Sequence, residues 1–111
     1  DYEVCRELLG ELESALDARG ERLRVTRLPA PSILRDEDGF VDYSYVNHLV
    51  TNGGVIACQF GDDEADSRAR SILAAAYPGR EVVGVDAREL FARGGGIHCI
   101  TQQQPVAQTG V

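Results

Sequence analysis

A chain of 111 residues is one domain or less, with room for a modest core. A net charge of −7 argues against a nucleic-acid partner, which needs a basic face, and leans toward a cationic ligand. No apolar run approaches membrane-spanning length, no signal-peptide pattern is visible, and the three cysteines neither pair evenly nor show zinc spacing. Together these predict a reducing, cytoplasmic setting, with no membrane and no metal.

Residues 2–18 predict an amphipathic helix. Val4, Leu8, Leu12 and Leu16 recur every four residues, with Leu9 and Ala15 flanking them. Asp1 is the expected start cap, Gly20 the expected end, and Cys5 falls early in the helix. Residues 23–28 read as a strand. Pro29, Pro31 and residues 35–42 then form an exposed connection, in which DEDG at 36–39 is a solvated turn without calcium-ligand spacing. Residues 44–50 and 55–59 read as strands flanking TNGG, whose Asn-Gly pair is a strong hairpin signal. Cys58, in the apolar run 55–58, reads as a buried structural thiol. Asp62 or Asp63 caps a second helix with Ala65, Ala69, Ile72, Leu73 and Ala76 as its buried stripe, and Pro78 ends it. Residues 81–85 read as a buried strand and 87–91 as a short helical turn. The order strand, strand, helix, strand predicts an α/β fold with mixed strand directions.

The densest signal is GGGIHCITQQQP at 94–105. Consecutive glycines mean that the backbone turns sharply or that something approaches it closely. Cys99 follows after Ile97 and His98, which is how a nucleophile is presented. The competing reading is a packed, inert thiol, the common fate of free cysteine. Residues 97–101 read as a short strand, so His98 and Cys99 point to opposite faces. A base must lie within hydrogen-bond reach of the proton that it takes. His98 is therefore expected to be a packed, hydrogen-bonded structural histidine. His48 is the only other histidine, and nothing except scarcity pairs it with Cys99. Gln102, Gln103 and Gln104 offer donors and acceptors for irregular backbone around a pocket, or form a solvated tail.

This segment, with SYVNHLVTNGGVIACQFGD at 44–62 and YPGREVVGVDARELF at 77–91, resembles the C-terminal part of agmatine deiminases. These belong to the guanidine-modifying, or pentein, superfamily, with bacterial-type peptidylarginine deiminases as near relatives. The resemblance covers nearly the whole chain, including the proline-containing link at 29–32. It implies ββαβ units of a five-bladed α/β propeller, of which about one to one and a half are present. Residues 1–111 would be the C-terminal portion of one catalytic domain. Cys99 would be the catalytic nucleophile. It would attack the guanidinium carbon of agmatine, release ammonia, and leave a covalent amidino-enzyme that water hydrolyses to N-carbamoylputrescine. Splitting the displacement this way suits a thiolate, and a bound cation lowers the thiol pKa. Asn47, Gly95 and Gly96 would be substrate-binding, the glycines keeping Cβ atoms clear of a planar cation. No cofactor is implied.

The departures are equally specific. The family's His-x-Asp acid/base motif and its guanidinium-clamping acids are missing from this sequence. His48 stands where the family often has an aromatic residue. The expectation is a C-terminal fragment whose partner is the N-terminal portion of the same domain. Alone it is expected to be inactive, and unstable or self-associated as a homo-oligomer. The alternatives are a peptidylarginine deiminase, or a non-catalytic remnant in which Cys99 is only packed.

Overall fold

The Asn52-Gly53 pair forms the hairpin turn, with Gly53 at φ 77°. It joins β3 (Leu49–Thr51) to β4 (Gly54–Gln59) as an antiparallel pair in the register Val50 opposite Val55. A computed structural model describes residues 2–107; the expected cap at Asp1 lies outside them. Before the hairpin come α1 (Tyr2–Ser14) and a minimal ribbon of β1 (Arg35–Asp36) and β2 (Gly39–Phe40). After it come α2 (Asp63–Ala76), β5 (Glu81–Asp86) and α3 (Arg88–Phe91). The main sheet has the order β3-β4-β5, and β4 pairs in parallel with β5. Parallel neighbours need a crossover, and α2 supplies it. The class is mixed α/β, as the element order predicts.

Alternation along β4 divides the core. Val55 and Ala57 pack with Leu73 of α2. Cys58 points the other way, into a cluster of Tyr43, Tyr45, Phe60, Ala69, Ala87, Phe91 and Ile97. Phe60 is its hub: it stacks on Tyr43 at 4.4 Å between centroids and meets Phe91 edge-on at 5.1 Å. Asp62 is the cap of α2, its carboxylate accepting from the Ala65 N–H at 3.1 Å. The same carboxylate also accepts from the Ser32 hydroxyl and N–H, which ties the 29–32 link to the helix start. Ala69 and Leu73 are buried as expected, whereas Ala65, Ile72 and Ala76 are half-buried. The buried charge on this helix is Asp66, which accepts from Tyr45 OH at 2.7 Å and from the N–H groups of Phe60 and Gly61.

Five expectations need correction. α1 stops at Ser14, because Asp17 Oδ1 accepts from the N–H groups of Arg19 and Glu21 and winds the chain into a turn instead. Its apolar stripe buries nothing: Val4 and Leu8 are 65% and 53% exposed. Residues 23–28 form no strand; one isolated bridge joins Leu16 to Arg22. Residues 44–48 are a turn, with Asn47 N–H donating to Ser44 O and His48 N–H to Val46 O, so β3 begins only at Leu49. β5 is a half-exposed edge strand rather than a buried one. Residues 97–101 are not a strand: His98–Ile100 is a single 3-10 turn closed by Thr101 N–H donating to His98 O at 3.1 Å.

Candidate active site

Two irregular segments meet over the aromatic cluster. The first runs from the end of α3. Gly94, at φ 100°, reverses the chain while its N–H donates to Phe91 O. Ile97 anchors the segment in the core, and Cys99 stands exposed one residue into the 3-10 turn. The second is the turn at 44–48. Tyr45 is held from below by Asp66, and His48 closes the turn. His48 Nδ1 lies 2.9 Å from Tyr45 O, a pure acceptor, so Nδ1 carries the proton. Nε2 is then left to accept from Tyr77 OH at 3.1 Å. His48 is a structural latch for the turn and makes no hydrogen bond to Cys99.

Asn47 joins the two segments. Its Nδ2 donates to Cys99 Sγ at 3.0 Å, and its Oδ1 accepts from His98 N–H at 2.8 Å. Both ends of the carboxamide are used, which fixes its rotamer and its orientation toward the sulfur. Cys58 adds a third tie, its thiol donating to Asn47 O at 2.9 Å. The sequence placed Cys58 correctly in the core but carried no signal of this contact.

The glycines serve this junction directly. A Cβ on Gly95 would lie 2.9 Å from Cys99 Cβ and 3.1 Å from Sγ. A Cβ on Gly96 would lie 2.6 Å from Asn47 Cγ and 2.8 Å from Phe91 Cε2. The space that Gly95 and Gly96 leave open is thus taken up by Cys99, Asn47 and Phe91. His98 is also different from expectation. It is exposed rather than packed, and among the described residues its ring makes no hydrogen bond. Beside Asn47 lies an open cavity of about 480 Å³ lined by Asp42, Ser44, Val46, Asn47, Phe91 and His98. Of the three glutamines, Gln103 reaches back to donate to Val50 O at 3.3 Å, and its neighbours are exposed.

The surroundings of Cys99 ease the ionisation of its thiol. Hydrogen bonding from the Asn47 side chain, and then from Gly96, holds the Cys99 pKa below the ordinary value, against desolvation and, least of all, the Asp42 charge. Cys58 moves oppositely, because burial pushes its thiol up. The two thiols are therefore shifted in opposite directions, the exposed one down and the buried one up. Among the described residues, no three His, Cys, Asp or Glu side chains gather as a metal-binding group.

The site is thus an exposed thiol hydrogen-bonded by Asn47 on a mixed α/β scaffold, and Asn47 in turn lines an open cavity. The chain belongs to the Porphyromonas-type peptidyl-arginine deiminase family, whose profile matches residues 1–105. It is 54% identical over 106 residues to a Streptomyces coelicolor protein given the provisional name agmatine deiminase, covering 95% of this chain and 31% of that protein. It is 42% identical over 123 residues to the agmatine deiminase of Pseudomonas aeruginosa, covering 95% and 33%. Among solved structures, the agmatine deiminase of Enterococcus faecalis superposes with a TM-score of 0.84 at 32% identity, over 93% of this chain and 33% of that one. The chain therefore spans about a third of the length of these relatives.

Proposed function

We propose that this chain is the nucleophile-bearing part of an agmatine deiminase. The observation that carries the reading is the Asn47 Nδ2 to Cys99 Sγ hydrogen bond at 3.0 Å, to an exposed thiol within the segment that matches the family. In this reading the Cys99 thiolate attacks the guanidinium carbon of agmatine and forms a C–S bond. The resulting tetrahedral adduct expels one nitrogen as ammonia, once that nitrogen is protonated. Water then adds to the amidino carbon, the C–S bond breaks, and N-carbamoylputrescine leaves as the thiolate returns. The thiol supplies the covalent chemistry, so no cofactor is required.

The proton donor and the guanidinium clamp belong to the remaining two thirds of the protein, which completes the ring of ββαβ units of the five-bladed propeller. Gly95 and Gly96 contribute by holding Cys99 and Asn47 in contact. The exposed thiols of Cys5 and Cys99 fit a reducing, cytoplasmic setting. The agmatine reading is preferred to peptidylarginine because the similar relatives are named for agmatine. Ammonia release by the full-length protein, measured with agmatine and with an arginine-containing peptide, tests the choice. Release from agmatine alone is expected; release from the peptide alone would assign the peptidylarginine reaction, and release from neither would leave a remnant.

A further inference from the structure

Asp42 is the single carboxylate among the residues lining the cavity beside Asn47. Its neighbours fix its direction: Tyr43 is buried in the aromatic cluster and Val41 packs against that cluster, with Val41 N–H donating to Leu34 O at 3.1 Å. Asp42 between them faces outward, exposed, and among the described residues it makes neither an ion pair nor a hydrogen bond. The rest of the lining is Ser44, Val46, Asn47, Phe91 and His98. Asp42 shares this cavity with Asn47, whose Nδ2 donates to Cys99 Sγ, so a molecule that reaches the thiol across Asn47 meets the carboxylate on the same surface. An exposed carboxylate without a partner pairs with a cationic group by a charge-assisted hydrogen bond.

We infer that Asp42 is a specificity-determining residue that receives the substrate's cationic group remote from the carbon attacked by Cys99. This inference rests on the deiminase reading above and adds the recognition of the amine end. It implies that the site selects guanidines carrying a second positive charge. The test compares agmatine with butylguanidine, which has the same chain without the terminal ammonium, using full-length protein and its Asp42→Asn variant. Asparagine keeps the size and polarity of this exposed side chain and removes only the charge. For agmatine, KM should rise roughly ten- to a hundredfold, the loss of one charge-assisted contact. For butylguanidine, kcat/KM should change less than about twofold, and Asp42→Glu should recover part of the agmatine KM. An unchanged agmatine KM, or equal losses with both guanidines, would overturn the inference while leaving the deiminase reading intact. Wild-type protein inactive toward agmatine would overturn both.

Discussion

Asn47 gives one N–H donor to the sulfur of Cys99, and the consequence for pH has a definite sign. Donation to the sulfur stabilises the thiolate, so the thiol pKa lies below its ordinary value in the folded protein. Asn47→Ala removes the largest cause of that depression. The pH midpoint for alkylation of Cys99 by iodoacetamide, followed on the Cys99 peptide by mass spectrometry, should therefore move upward. Exposed Cys5, in α1, serves as the control for the alkylation itself. A midpoint unchanged by Asn47→Ala would show that the contact does not tune the thiol. At this scale the exposure of Cys99 was legible, because the glycine run just before it signals irregular, accessible backbone whatever the fold. The sequence was misleading about His98. Ile97, His98, Cys99, Ile100 and Thr101 have strand-like character, but Asn47 Oδ1 takes the His98 N–H that a strand partner would have used. That bond is contributed by a residue 51 positions away, and no local pattern can announce it.

At the scale of elements, the hairpin, α2 and β5 were legible because Asn-Gly, an aspartate cap and Pro78 are local signals. The turn at 44–48 was not. Its aromatic and β-branched residues suggest a strand, yet Tyr45 is turned inward to Asp66 and His48 is latched to Tyr77. Asp66 itself was invisible: on an apolar stripe a carboxylate reads as solvent-facing until its three donors are seen. This buried group links α2, the end of β4 and the turn that carries Asn47. Asp66→Ala would leave the Phe60 and Gly61 N–H groups and the Tyr45 hydroxyl without their acceptor. In the full-length protein this should cost about 2–4 kcal/mol, seen as a lower denaturation midpoint in urea. Asp63→Ala, on the exposed side of the same helix turn, should change stability by less than about 0.5 kcal/mol. Equal effects at the two positions would refute the structural role given to Asp66.

The whole molecule is expanded for its length. Its radius of gyration is 16.1 Å, with extents of 55 × 34 × 24 Å. A compact domain of this size is expected near 13 Å. The excess comes from elements with no neighbour to pack on. α1 buries no residue, and Leu16 just beyond it is 60% exposed. Val83 and Val85 of β5 are 49% and 43% exposed. Such faces are what adjoining parts of a longer relative would cover. Purified by itself, this chain should self-associate or bind the remainder of the protein, and should release no ammonia from agmatine. Light scattering coupled to size exclusion checks the first point. A monodisperse, cooperatively melting monomer would contradict it, and agmatine-dependent ammonia release from the isolated chain would contradict the second.

The central claim is that Cys99 is the nucleophile, and the most direct measurement is agmatine-dependent ammonia release by full-length protein and its Cys99→Ala variant. Both should fold alike, because the thiol is exposed and leaves no buried cavity when removed. The variant should lose at least roughly a thousandfold in kcat, since no second group replaces a covalent nucleophile. Equal rates in the two proteins would contradict the claim.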